Sequence, residues 1–210
     1  NVFVLPNSLD KNLKSNNKKK KEVVFVGKLV PEKGVDIYVG AVKLIAKKFI
    51  DWKFYIIGSA KAGSTKLQTK YEKQIIDSFL EIGKNVKYHG FLPNSKVCNI
   101  LEQSSILVVP STWNEPFGLT ALEGISNRLA VIASKVGGLV DIVGKRGILI
   151  QDIDKTKIAK RLSNLMKNND ELKKFQNRAW KNYNFNQKNI SKKQDKMRRE
   201  IIKKFYFSQV

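Results

Sequence analysis

The chain has almost none of the residues that build metal or disulfide frameworks. Its 210 residues hold one cysteine, Cys98, and one histidine, His89. A lone cysteine excludes a disulfide scaffold and suits a reducing compartment. With one histidine, and the cysteine on an expected helix, no His/Cys cluster is available for a metal. No apolar run approaches the length of a bilayer span, and the first residues lack a signal-peptide pattern. No G-x-G-x-x-G follows a strand, which disfavours a nicotinamide dehydrogenase. No G-x-x-x-x-G-K-[ST] occurs either, which disfavours a Walker-type ATPase. Ser111 and Ser134 lack the surroundings of a Ser-His-Asp nucleophile.

Acidic residues are also scarce: 18 Asp and Glu stand against 40 Lys and Arg, a formal net charge of +22. The excess is uneven. Residues 155–210 hold 17 basic and 4 acidic residues, and six lysines fall between Lys11 and Lys21. Nucleic acid, an anionic membrane surface and phosphorylated substrates are the partners such charge attracts. A Lys/Asn/Ile-rich composition of the kind seen in coding sequences low in G and C accounts for part of it. The length and 42% hydrophobic content predict one domain of ordinary size with a real core. The first residue is Asn rather than Met, so the chain reads as a fragment or a processed piece.

Hydrophobic patterning predicts alternating elements. Residues 1–6 read as an apolar stub before the turn Pro6–Asp10, and 11–21 as a mobile linker without periodicity. Strands are expected at 23–26, 52–57, 86–89, 106–109, 129–133 and 147–150. Helices are expected at 35–49, 68–82, 95–103, 119–127, 139–143, 154–168 and 170–182. The strands are continuous Val/Ile/Phe runs, which marks a parallel sheet covered on both faces. In such sheets ligands bind at the C-terminal strand ends, near the topological switch point. Gly27, Gly58, Gly90 and the Pro110–Gly118 turn all fall at such ends. Residues 187–206 form a basic amphipathic helix whose stripe of Ile190, Met197, Ile201 and Phe205 has no evident cover.

The segment Pro110–Gly124 is the most specific in the chain. It follows a buried strand and passes through Gly118 into a helix with Leu119, Leu122 and Ile125 on one face. A strand, a glycine turn and a fresh helix N-terminus suit an anion. Glu115 and Glu123 bracket that turn and offer acceptors for ligand hydroxyls, so a sugar nucleotide fits. Two solvated glutamates on a loop are the plainer alternative, but that account leaves Trp113, Pro116 and Phe117 on an exposed turn unexplained. A paired-carboxylate hydrolase is weaker, since its chemistry needs no phosphate turn. Gly27–Gly34 places Lys28 and Lys33 in a loop able to neutralise a diphosphate; a solvated loop in a lysine-rich chain is the alternative. His89 reads as a general base, or as a packed or base-contacting residue.

Together these pieces resemble the C-terminal domain of a retaining glycosyltransferase of the GT-B fold, in glycosyltransferase family 4 (group 1). The E-x7-E pattern matches Glu115 and Glu123, and the phosphate loop matches Gly27–Gly34 with Lys28 where Arg is usual. The turn before the nucleobase matches Gly90, Phe91 and Leu92. The G-G-x-x-E segment matches Gly137–Asp141 with Asp for Glu, and Pro6–Asp10 is similar to the interdomain linker end.

The resemblance implies a Rossmann-like doubly wound parallel sheet, one half of a GT-B fold, followed by the basic helix. It implies a linker at 1–21, a nucleotide-sugar domain at 22–183, and a crossover helix at 184–210 that docks on an N-terminal domain outside this chain. It implies that Lys28 and Lys33 hold the diphosphate, that Glu123 binds the ribose, and that Glu115 faces the transferred sugar. The backbone N–H groups of Phe117, Gly118 and Leu119, with Thr120, would bind sugar hydroxyls and the distal phosphate, and residues 89–92 would border the base. Gly27 and Gly58 complete the set. The donor would be a nucleotide-diphosphate sugar, UDP-linked by the family's habit, with no metal or further cofactor required.

The expected function is therefore transfer to a glycan or lipid-linked acceptor in surface polysaccharide, glycolipid or lipopolysaccharide assembly. The place would be the cytoplasm, at the inner face of the membrane, with the isolated chain weakly active or inactive. A stand-alone nucleotide-sugar-binding subunit with a partner chain is the alternative. A nucleic-acid-binding protein ranks last, for want of any recognition motif.

Overall fold

The computed structural model describes residues 6–12, 18–61, 63, 64 and 66–207, with side chains up to residue 204. Six strands form one parallel sheet: β1 Glu22–Val26, β2 Lys53–Ile57, β3 Val86–Tyr88, β4 Ile106–Val109, β5 Ala130–Ser134 and β6 Ile148–Ile150. Their order is β3-β2-β1-β4-β5-β6. The helices are α1 Val35–Ile45, α2 Lys70–Leu80, α3 Asn94–Gln103, α4 Leu119–Ser126, α5 Leu139–Val143, α6 Lys155–Lys167, α7 Asn169–Lys181 and α8 Gln187–Phe207. This is the parallel sheet covered on both faces that the patterning predicts, in the doubly wound, Rossmann-like form that the resemblance implies. Every predicted element is found, with ends moved by a few residues. The largest shift is at α1, where the chain tightens into a 3-10 turn at Ala46–Lys48.

Both faces of the sheet are apolar because successive strand residues point to opposite sides. Val23 and Phe25 of β1, Phe54 and Ile56 of β2, and Ile106 and Val108 of β4 pack under α1, α2 and α6. Val24, Ile57, Leu107 and Val109 pack under α3, α4 and α5. Helix α7 serves both sides: Leu172 near its start joins the first core and Ala179 near its end joins the second. Tyr38, fully buried between α1 and β1, keeps its hydroxyl satisfied by donating to the Val23 carbonyl at 3.1 Å.

The sheet order reverses between β1 and β4, and the crevice at that point lies beyond Val26 and Val109. Neighbouring strand ends there are tied together. Gly27 donates to the Ile57 carbonyl at 3.1 Å, and Gly58 to the Gly90 carbonyl at 2.8 Å.

Three expectations change. The described residues of 6–21 lack regular structure but are not loose. Leu9 donates to the Phe185 carbonyl (2.9 Å), Asn12 to that of Ser126 (3.0 Å) and Lys20 to that of Gln103 (2.8 Å). Such pairing uses carbonyls at the ends of α3 and α4 and between α7 and α8, so no local periodicity announces it. Residues 1–5, the stub before Pro6, and 13–17 lie outside the described residues. Leu119 is 53% exposed, although Leu122 and Ile125 are buried; it stands at the first turn of α4, beyond the end of β4. The stripe on α8 is covered at one end. Ile190 packs on the second core and Met197 is half-buried, whereas Ile201 and Ile202 are exposed. The Phe205 side chain lies outside the described residues. No helix among them is long and apolar enough to cross a membrane.

Candidate functional site

Two adjacent clefts open at the C-terminal ends of β1, β2 and β4. The first, of about 360 Å³, is lined by Gly27, Lys33, Ser111, Glu115, Phe117, Gly118, Leu119 and Thr120, with Asn7. The second, of about 170 Å³, is lined by Gly27, Lys28, Gly58, Ser59, Phe91, Leu92 and Val97. Val26 and Gly27 border both, so one crevice has two compartments. The two lysines of the β1–α1 loop are thereby divided. Lys28 is exposed beside Gly58, and Lys33 reaches the β4–α4 loop. The cause is the tight turn at Pro31–Lys33, closed by Gly34.

Gly34 has φ +66°, and a Cβ there would lie 2.0 Å from the Pro110 carbonyl oxygen. Only glycine admits that approach. With Thr112 donating to the Glu32 carbonyl at 2.9 Å, it clamps the lysine loop to the start of the Glu115 loop. The other side of the Glu115 loop rests on Gly137 and Gly138. Cβ atoms there would fall 2.3 Å from the Glu115 carbonyl oxygen and 2.6 Å from the Phe117 Cα. The Gly138 N–H donates to the Glu115 carbonyl at 2.7 Å. The glycine pair thus lets two turns lie backbone to backbone. Asp141, further along the same segment, is exposed.

Glu115 is buried, and its carboxylate is well supplied. Lys33 Nζ lies 2.5 Å from Oε1, and Ser111 Oγ donates to the same oxygen at 2.6 Å. Burial pushes its pKa up. The hydrogen bonds from Lys33, Ser111 and Trp113, with the lysine's charge, outweigh that and hold the carboxyl below its usual value. The Lys33 ammonium also sits 4.9 Å above the Trp113 ring.

Glu123, on α4 about a turn from Thr120, lines neither cleft. It is half-buried near Cys98 of α3, and burial alone raises its pKa. The α4 N-terminus carries no side-chain cap, because Gly118 precedes it with φ +96°. Its first N–H groups have no intrahelical partners and point with the positive end of the helix dipole.

His89 and Gly90 also lie outside both cleft linings. The His89 ring meets Tyr55 edge-on at 5.0 Å, and its Nε2 is buried without a hydrogen-bond partner among the described residues. Burial first, then the charge of Lys87, lowers its pKa, so the ring stays neutral near pH 7. The structure therefore brings Gly27, Lys33, Glu115 and residues 117–120 together, sets Lys28, Gly58, Phe91 and Leu92 beside them, and leaves Glu123, His89 and Gly90 at the margins. No cluster of three His, Cys, Asp or Glu side chains with metal-binding geometry occurs among the described residues.

Two contributors escape sequence reasoning. Ser111 reads there only as a failed nucleophile, yet it orients Glu115. Asn7 reads as part of a turn, yet it lines the first cleft with Ser111, 104 positions further along the chain. The proline between β4 and Ser111 was a usable signal for the first, since it stops the strand and turns the next side chain inward. Asn7 had none.

The profile of the family described as Glycosyl transferases group 1 matches residues 8–182. An uncharacterised glycosyltransferase of Methanocaldococcus jannaschii is 34% identical over 187 residues, which is 81% of this chain and 49% of that protein. The lipopolysaccharide 1,2-N-acetylglucosaminetransferase of Salmonella typhimurium is 26% identical over 58% of this chain and 32% of its own length. The chain thus spans half or less of these relatives. The crystal structure of Anabaena HepE in complex with UDP and glucose superposes with a TM-score of 0.77, covering 93% of this chain and 56% of that one at 20% identity. At that identity the likeness shows the fold. The profile match spans most of the chain, so this chain belongs to the group 1 glycosyl transferases.

Proposed function

We propose that this chain is the donor-binding half of a retaining glycosyltransferase that takes its sugar from a nucleoside diphosphate, UDP in the first instance. One observation carries the reading: Lys33, Glu115 and the uncapped α4 N-terminus converge on one cleft at the switch point. A cation and unpaired N–H groups recognise a diphosphate, and a buried carboxylate recognises sugar hydroxyls.

When the bond from the anomeric carbon to the diphosphate breaks, negative charge collects on the departing oxygens. Lys28 and the N–H groups of Gly118 and Leu119, with Thr120, stabilise that charge in this reading, and Lys33 joins them on leaving Glu115. Glu115 orients the transferred hexose. Glu123 takes the ribose hydroxyls, and the Gly58–Leu92 compartment takes the base, bordered by His89 and Gly90.

Transfer itself needs an acceptor-binding domain, in the same polypeptide or in a partner chain, and the acceptor is a glycan or lipid-linked sugar of a surface polysaccharide or lipopolysaccharide type. The basic residues of α8, with exposed Ile201 and Ile202, support peripheral contact with an anionic cytoplasmic membrane face.

The test is calorimetric titration with UDP, GDP and ADP and their sugar conjugates at moderate salt, beside Glu123→Ala and Lys33→Ala. Selective binding of one nucleotide, weakened in both variants, is the expected result. Equal weak binding of all polyanions, indifferent to both substitutions, would reduce the lysines to a nonspecific patch.

A further inference from the structure

Trp113 belongs to the Glu115 loop, yet it is 42% exposed and joins neither core. An indole holds a large apolar face, and leaving it in water forgoes the burial that normally stabilises such a residue. Lys33 covers it instead, with its ammonium 4.9 Å from the ring centroid while the same nitrogen lies 2.5 Å from Glu115 Oε1. One lysine thus masks an aromatic face and a carboxylate oxygen together. Lys33 lines the first cleft. A diphosphate in that cleft would bring more negative charge to the lysine than a single carboxylate supplies, and more acceptor oxygens.

A pyranose ring has an apolar C–H face and hydroxyls around its edge. An aromatic face next to a carboxylate acceptor matches both features. We infer that Trp113 and Glu115 form a pyranose-binding unit that Lys33 covers in the free protein and uncovers when a diphosphate draws the lysine away. This rests on the donor-site reading above. It adds a residue, Trp113, and an order of events in which the diphosphate engages before the sugar ring.

The emission of Trp113 reports the first step. Trp52 is buried in the core, and Trp180 lies under Lys11 and Arg128, so Trp113 is the one of the three indoles that Lys33 covers. UDP should change the emission of the wild-type chain, and Trp113→Phe should abolish that change.

Affinities by calorimetry report the second step. UDP, UDP-glucose, UDP-galactose and UDP-N-acetylglucosamine are compared in wild type, Trp113→Ala and Trp113→Phe. The corresponding methyl glycosides are then added to UDP-saturated protein. Loss of the conjugate-to-UDP affinity ratio in Trp113→Ala, by about fivefold and restored by Trp113→Phe, assigns the platform to the donor's sugar. An unchanged ratio with lost methyl glycoside binding assigns it to an acceptor sugar. Indifference of the whole panel to Trp113→Ala overturns the inference, as does UDP binding that leaves Trp113 emission unchanged. If UDP fails to bind the wild-type chain, the donor-site reading falls first and this inference with it.

Discussion

Lys33 and Glu115 lie 82 residues apart in the chain, and their charged atoms lie 2.5 Å apart in the fold, one on the β1–α1 loop and one on the β4–α4 loop. The pair joins the two sides of the switch-point crevice. It is part of the framework of the crevice, and in the proposed function part of its chemistry as well.

That pair gives the stability a defined pH dependence. The Glu115 carboxyl is held below its ordinary value of 4.5. A carboxylate with a depressed folded-state pKa contributes stability that is complete above the unfolded value and is lost as pH falls through the folded one. Urea denaturation of wild type and Glu115→Gln at pH 7, 5, 4 and 3 should show the gap between them shrinking below about pH 4.5. A gap that is constant with pH would remove the ion pair from the account.

Glu123 should behave in the opposite way. Burial alone raises its pKa, so its ionised form opposes folding at neutral pH. That penalty is absent below the unfolded pKa and is fully present above the folded one. Glu123→Gln is expected to raise the thermal midpoint at pH 7 and to weaken UDP binding by about tenfold or more through the lost charged acceptor. Thermal scans and calorimetry on the same preparation check both halves. A variant that is less stable at pH 7 contradicts the first.

Gly34 and Gly90 separate close approach from backbone conformation. Both have positive φ, but a Cβ at Gly34 would strike the Pro110 carbonyl, and one at Gly90 meets nothing within 4 Å. Gly34→Ala should cost about 3 kcal/mol or more, and Gly90→Ala about 1 kcal/mol. Gly34→Ala should also weaken UDP binding, because it moves the loop that carries Lys33. Equal costs in chemical denaturation would mean that the loop yields without strain.

Glu72 anchors the loop after β2. It is fully buried, and its two carboxylate oxygens accept from the Ala60 N–H at 2.9 Å and the Gln68 N–H at 2.7 Å. Glu72→Ala leaves two donors unsatisfied and should cost about 2–4 kcal/mol. Hydrogen exchange at residues 60 and 68 should accelerate in the variant. Exchange there that matches wild type would show that the loop holds itself.

Much of the fold was legible because its causes are local. The runs 23–26 and 106–109 are continuously apolar, and both faces of those strands are buried. The caps agree with their sequence as well: Thr69 accepts from the Glu72 N–H at the start of α2, and Asp154 from Thr156 and Lys157 at the start of α6. The Glu115 loop was legible in part, since a proline, a glycine and two glutamates stand together there. The division of Lys28 from Lys33 was not, because it depends on where the Pro31 turn meets Pro110. The same holds for residues 6–12, whose partners lie about 90 or more positions away along the chain.

The sequence by itself determined the parallel sheet, the order of its elements and the residue types at the strand ends, through apolar periodicity and glycine placement. Only the tertiary structure decided which of those residues share a cleft, that Ser111 and Trp113 attend Glu115, and that Glu123 and His89 stand apart from it. Strand order and loop-to-loop contact set those distances, and both depend on atoms that the chain brings together only when the two faces of the sheet are covered.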